Sequence, residues 1–228
     1  MSGTLVIAHR GASGYEYENS RAAFRAAKAR GADAIELDIH AAADGVLFVH
    51  HDEMVSGVHI TRATAAQVRA LRLPNGESVP TLEDALGVID PALQVFIEVK
   101  SLPREFDDRL LAALEHGGAR FAVHGFDHRI VRRLGEARPE LARGVLLASY
   151  PLRPLEPLQD TGATVLWQEQ SLIDAELVET LHGAGLRIYA WTVNDPEDMR
   201  RLLSLRVDGL CTNVPDVGRR ALEGGGAR

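Results

Sequence analysis

The amino-acid sequence predicts an α/β protein, a closed (β/α)8 TIM barrel with an antiparallel hairpin extending the second strand. Three observations predict it. Eight short, near-continuously apolar runs recur along 228 residues, the pattern of parallel strands covered on both faces. Capped, amphipathic stretches separate most of them. The length suits one α/β core rather than several. The alternative, an open doubly wound sheet, is disfavoured because no Gly-x-Gly-x-x-Gly loop follows the first strand. Gly11-Ala12-Ser13-Gly14 is only a weak glycine-rich turn.

The elements follow in order. Leu5–Ala8 forms the first strand, and Asn19 or Ser20 opens an Ala-rich helix running to Arg30 and ended by Gly31. Ala34–Asp38 is the second strand. Val46–His51 is strand-like too, yet only Ile39–Gly45 lies between them, too short for the crossover a parallel pair needs. Asp44-Gly45 is a hairpin turn signal, so this segment returns antiparallel, and pairing across that turn brings His51 beside Asp38. Thr81, before Leu82-Glu83-Asp84, caps the next helix. Gln94–Val99, Arg120–Val123, Gly144–Ala148, Thr164–Trp167, Arg187–Thr192 and Val207–Thr212 complete the strands. Gly117 and Gly185 sit where helices end, Asp195 caps and Pro196 fits the first turn of another, and Glu223–Gly226 forms a frayed tail.

Composition narrows the function. Lys and Arg number 25 against 32 Asp and Glu, for a net charge of −7. Such a balance opposes binding to nucleic acid or an anionic membrane through the net field, although a few local cations suffice for a phosphate ligand. One cysteine, Cys211, excludes an intrachain disulfide framework. No apolar run approaches the roughly 18 residues of a transmembrane segment. No basic, apolar leader precedes the first strand, so the expected location is cytoplasmic.

In such a barrel the chemistry sits where strands end, and those ends are unusually polar. The first strand ends in His9-Arg10. The second carries Glu36 and Asp38 on one face, the third Glu98 and Lys100 on one face, and the hairpin returns with His51-Asp52. Each has a bland explanation alone: a strand-end histidine is usually a surface residue, Glu36 and Asp38 suit an exposed hairpin, and Glu98 and Lys100 can pair with neighbours. Convergence of three carboxylates, two histidines and two cations on one mouth points instead to a site. Carboxylates without a cysteine partner suit a hard divalent cation, Mg2+ or Ca2+, better than zinc. Arg10 and Lys100 beside it describe a phosphate site, and His9 and His51 supply a general acid and base. The implied chemistry is metal-assisted phosphoester cleavage.

His9-Arg10-Gly11, Glu18-Asn19-Ser20, Glu36-Leu37-Asp38, Asp44-Gly45, His51-Asp52 and Glu98-Val99-Lys100 stand in an order that resembles the glycerophosphodiester phosphodiesterase family. Trp191-Thr192-Val193-Asn194 and Asp208–Pro215 extend the resemblance over nearly the whole chain. It implies a single catalytic TIM-barrel domain over residues 1–228 that hydrolyses a small-molecule glycerophosphodiester to glycerol 3-phosphate and an alcohol, with one divalent cation. By motif, Glu36, Asp38 and Glu98 hold the metal, His9 and His51 are the acid/base pair, and Arg10 and Lys100 bind phosphate. Glu18 and Asn19 support the site, or cap the first helix, and Trp191 lines the glycerol pocket. The sequence also departs from the family. Tyr17 replaces a proline, Gly125-Phe126 replaces Ser-Phe, and the Arg-Thr-Thr stretch is poorly kept around His59–Thr64. Only 28 residues, 53–80, separate Asp52 from Thr81, a short loop region in place of the family's insertion domain. Two other functions compete: a related phosphodiesterase acting on lysophospholipids or another head group, favoured by an apolar groove near Tyr15, Tyr17, Phe126 and Trp167, and a catalytically silent phosphate-binding barrel.

Overall fold

Backbone pairing closes the expected barrel. The computed structural model describes residues 3–115 and 121–225, so Gly117, Arg120 and Gly226 lie outside the described residues. The strands are β1 (Leu5–His9), β2 (Ala34–Ala41), β3 (Leu47–Val49), β4 (Met54–Val55), β5 (Val58–His59), β6 (Gln94–Ser101), β7 (Phe121–Gly125), β8 (Ala142–Leu147), β9 (Val165–Glu169), β10 (Arg187–Trp191) and β11 (Gly209–Thr212). β1, β2 and β6 to β11 form the eight-stranded parallel barrel, with β1 pairing both β2 and β11. The helices are α1 (Arg21–Ala29), α2 (Ala65–Arg69), α3 (Leu82–Leu86), α4 (Asp107–Glu115), α5 (His128–Ala137), α6 (Glu156–Thr161), α7 (Ala175–Gly183), α8 (Pro196–Ser204) and α9 (Pro215–Gly225). Among the described residues no helix is long and apolar enough to cross a membrane.

Local chemistry accounts for the helix starts. Ser20, not Asn19, caps α1 by accepting from Ala23 N. Thr81 and Asp84 form a reciprocal capping box at α3, and Asp195 accepts from Glu197 N and Asp198 N at α8. Strand alternation then splits the core in two layers. Outward-facing residues such as Ile35, Leu37, Ile97 and Val123 pack against the helices. Inward-facing Ile7, Phe96, Trp167, Tyr189 and Cys211 fill the barrel. Phe96, Trp167 and Tyr189 meet edge to face with centroids 5.1–5.5 Å apart, making an aromatic floor.

The hairpin is antiparallel, as expected, but its register is one residue off. Ala41 faces Leu47 and Ile39 faces Val49, and His50 N donates to Asp38 O at 3.1 Å. His50, not His51, therefore stands opposite Asp38. The cause is a three-residue loop rather than a two-residue turn: Ala42 N donates to Val46 O, and Gly45 takes φ +82°, the left-handed position such loops require. β3 stops at Val49, and the chain bends there. Residues 53–80 are not bare loop. They hold the β4–β5 hairpin, a 3-10 turn over Ile60–Arg62, and α2. Val55, Ile60, Val68, Leu73 and Val79 pack on Phe48 as a small satellite core.

Candidate active site

The barrel ladder assembles the mouth. His9 stands beside Glu36 across β1–β2, Asp38 beside Glu98 across β2–β6, and Glu98 beside His124 across β6–β7. Neighbouring parallel strands in register place these side chains at one height. A small cavity of about 80 Å³ opens there, lined among others by His9, Arg10, Glu36, His51, Glu98, Lys100, His124 and Trp191.

Asp38 is the electrostatic centre of this constellation. It is 1% exposed. Arg10 Nε lies 3.2 Å from its Oδ2 and Lys100 Nζ 3.2 Å from its Oδ1. Asn19 Nδ2 donates to Oδ2 at 2.8 Å. Burial alone would raise its pKa, but Lys100, Arg10 and Asn19 outweigh it and hold the carboxyl down at about 2. Lys100 also contacts Glu98 Oε1 at 2.7 Å. Arg10 is held in turn by Glu18, whose carboxylate accepts from Nη1 at 2.8 Å, and Arg10 N donates to Glu36 Oε2 at 3.1 Å. Arg10 and Asn19 both have positive φ, 55° and 52°, a conformation costly to most L-residues. Glu18 and Asn19 thus brace the site while Ser20 does the capping.

The other two carboxylates behave differently. Burial, then Asp38 and Glu98, push the Glu36 pKa well up. Burial, then Asp38, raise Glu98 to about 7. Three carboxylates crowd this mouth, and Lys100 at Glu98 and Arg10 at Glu36 offset their burial and mutual repulsion only in part. Glu36, Glu98 and His124 each offer one ligand atom within 4.8 Å of the others, while Asp38 Oδ1 faces Lys100 Nζ at 3.2 Å. Burial holds His124 near pKa 3, so its imidazole is neutral at pH 7 and keeps a lone pair. The donor set fits one divalent cation.

His124 was not foreseen from sequence. The signal was available in the Phe-Ala-Val-His-Gly run, where Ala122 and His124 share the inward face and the ladder carries His124 to Glu98. Its ring stacks on Trp167 at 4.2 Å and 6°, so Trp167 is floor rather than groove. The apolar groove that would favour lysophospholipid substrates does not assemble: Trp167 is buried, Tyr17 packs on the satellite core, and Tyr15 lies under the Arg30 guanidinium at 3.8 Å. Only Phe126 stands at the mouth, edge to face with Trp191 at 5.6 Å.

The histidines are differently held. His9 Nδ1 lies 2.7 Å from Asn213 Oδ1. An amide oxygen only accepts, so Nδ1 carries the proton and Nε2 keeps a lone pair. Burial and the adjacent Arg10 lower His9 to about 4. His51 Nδ1 lies 2.8 Å from Asp52 Oδ1. Trp191 Nε1 is buried without a partner. At Gly125, where a serine was the family expectation, a Cβ would lie 3.1 Å from Val99 O, so a side chain there is crowded.

Comparison with known proteins follows this geometry. The glycerophosphoryl diester phosphodiesterase family model matches residues 9–217. A glycerophosphodiester phosphodiesterase of Caldanaerobacter subterraneus is 33% identical over 94% of this chain and 96% of its own. A crystal structure of a glycerophosphodiester phosphodiesterase from Parabacteroides distasonis superposes with a TM-score of 0.89 at 27% identity, covering 97% of this chain and 98% of that one. An Oleispira antarctica phosphodiesterase, solved with the product sn-glycerol-3-phosphate, shares the fold with a TM-score of 0.90 at 24% identity and 96% coverage of both chains.

Proposed function

The chain belongs to the glycerophosphoryl diester phosphodiesterase family, and from that premise we propose how its mouth hydrolyses a glycerophosphodiester to glycerol 3-phosphate and an alcohol. One observation carries the reading: the ladder sets Glu36, Glu98 and His124 within 4.8 Å of one another, with Arg10, Lys100, His9 and His51 lining the same cavity.

Glu36 and Glu98 would hold one divalent cation, Mg2+ or Ca2+, with Asp38, which also pairs with Lys100 and Arg10, as the third carboxylate and His124 adjacent. Such a cation would supply Lewis-acid charge to the phosphate and its nucleophile. Arg10 and Lys100 orient the phosphate through charge-assisted hydrogen bonds. His9, neutral and with Nδ1 committed to Asn213, accepts a proton at Nε2 from the attacking oxygen. His51, its Nδ1 held by the Asp52 carboxylate, gives a proton from Nε2 to the leaving alkoxide. Trp191 offers its indole N–H to a glycerol oxygen. Residues 1–228 act as one catalytic domain, in which the folded segment 53–80 stands in place of the family's insertion domain. The cytoplasm is the proposed place of action, and the single cysteine, free and buried, is compatible with it.

Purified protein assayed on glycerophosphocholine and lysophosphatidylcholine, with and without chelator, tests the reading. Chelator-sensitive release of glycerol 3-phosphate from glycerophosphocholine is expected. Turnover of lysophosphatidylcholine alone would transfer the activity to lysolipids, and turnover of neither would leave a silent phosphate-binding barrel.

A further inference from the structure

Among the described residues, five large apolar side chains are well exposed: Tyr15, Met54, Phe126, Tyr150 and Leu152. All five lie in segments that leave the mouth ends of strands. None lies on a helix or on the opposite rim. Tyr15 is committed to the flank, with Arg30 over its ring and Asp216 accepting from its hydroxyl. Met54 belongs to β4 in the 53–80 segment, and the other three follow the adjacent strands β7 and β8. Leu152 is 93% exposed in the loop from β8 to α6, with Tyr150 two residues before it. Phe126 leads the neighbouring loop from β7 to α5.

The same sector is basic. A groove of about 740 Å³ runs from Lys100 along Arg104, Arg129, Arg132 and Arg133. Arg153 follows Leu152 directly, beside a second groove of about 560 Å³. Every one of these arginines except Arg104 has a carboxylate partner: Arg129 has Asp127, Arg132 has Glu136, Arg133 has Asp107 and Arg153 has Glu156. Asp127 and Glu136 line the first groove, and Glu156 and Asp160 the second. Arg104 makes no ion pair with any described residue. In a chain of net charge −7, the first groove, lined by Lys100 and four arginines against Asp127 and Glu136, is a local excess of positive charge.

We propose that the β6–β8 sector of the mouth docks on a lipid surface bearing anionic head groups. Leu152 enters the interface, Tyr150 stays at its edge with its hydroxyl on Asp174, and Arg104 lies over head-group phosphates. The cavity then faces a phosphodiester held in that surface, a clause that rests on the function proposed above. Apolar and aromatic tips flanked by arginine match the layered chemistry of a bilayer interface, apolar below and anionic above. A second copy of this chain is a poorer occupant. A twofold interface places the same patch against itself and would set these arginines against one another.

Co-sedimentation of the purified full chain with vesicles tests this, using phosphatidylcholine alone and phosphatidylcholine with phosphatidylglycerol. Binding is expected to the anionic vesicles and to weaken with salt. Leu152→Asp should lower the vesicle partition about tenfold or more, and Arg104→Glu by about fivefold or more. Leu152→Asp should leave hydrolysis of soluble glycerophosphocholine unchanged and slow hydrolysis of lysophospholipid in the anionic vesicles. The proposal is overturned if the wild-type chain stays in the supernatant with both vesicles, or if Leu152→Asp binds as well as wild type. It is equally overturned if sedimentation velocity shows a dimer that Leu152→Asp dissociates, which assigns the patch to a second copy. Vesicle binding with no hydrolysis of any substrate would instead reject the enzymatic reading and leave the docking in place.

Discussion

Substituting Asn19 by alanine and, separately, by glycine isolates two costs that the site carries at one residue. The side chain is fully buried and donates to Asp38 Oδ2 at 2.8 Å. Losing a hydrogen bond to a charged group costs about 1.5–3 kcal/mol. The backbone sits at φ 52°, which asparagine tolerates, glycine adopts freely, and alanine pays about 1–2 kcal/mol to occupy. Asn19→Ala should therefore lose about 3–4 kcal/mol, and Asn19→Gly about 1 kcal/mol less. At about 2–4 °C per kcal/mol for a domain of this size, the alanine variant melts roughly 6–15 °C lower. Urea unfolding followed by circular dichroism at pH 7 reads both. Equal losses in the two variants would refute the left-handed backbone as a cost. A loss under about 0.5 kcal/mol in either would refute the Asn19–Asp38 bond.

Other outcomes follow from the same geometry. His51→Ala should lower kcat by roughly 10²–10⁴, while His50→Ala, which loses a ring contact to Asp52 O, keeps most activity and loses stability; equal kcat losses would remove His51 from the acid/base pair. Gly11→Ala should cost about 2 kcal/mol or more, since φ is +81° and a Cβ would lie 2.7 Å from the Ala23 carbonyl carbon; an unchanged urea midpoint contradicts this. Asp84 caps α3 and pairs with Arg21 at 2.7 Å, and its pKa is lowered in the fold, where the bonds to Thr81 N and Arg21 outweigh burial. A carboxyl lowered on folding adds stability above its unfolded pKa, near 3.9, and loses it as pH falls through the folded value. Asp84→Asn should thus destabilise at pH 7 and converge with wild type at pH 2, and a gap that widens on acidification would show the sign to be wrong.

The barrel was legible because parallel strands buried on both faces write themselves as apolar runs, as Leu5-Val6-Ile7-Ala8 does. The carboxylates were legible for the complementary reason: Glu36 and Glu98 interrupt such runs at inward positions where only paired charge survives. His124 escaped because the strand was ended at Val123, so the one polar side chain on its inward face was never placed. Register escaped at the hairpin because Asp44-Gly45 fits two loop lengths, and only the left-handed Gly45 selects the three-residue form. Asn19 and Ser20 were interchangeable as caps on paper; Asp38, nineteen residues away, decides which of them turns inward. The division of labour among three carboxylates likewise depends on Lys100 and Arg10 choosing Asp38, a three-way contact no local pattern encodes.

The seam between the first and last strands has a consequence for biosynthesis. β1 pairs with β11 from Leu5–Gly209 to Ala8–Thr212, Thr4 Oγ1 donates to Val207 O at 2.8 Å, and His9 takes its orientation from Asn213, 204 residues later. A nascent chain that has emerged through β6 already carries Glu36, Asp38 and Glu98. His9, the proposed proton acceptor, stays without its Asn213 partner until the last strand is delivered. Partly synthesised or C-terminally clipped chains are thus expected to gather the acidic cluster without turning over phosphodiesters. With His9 in its proposed role, closure of the ring would be the event that switches the molecule on, and the appearance of turnover during cell-free translation would be a clock for completion of the fold.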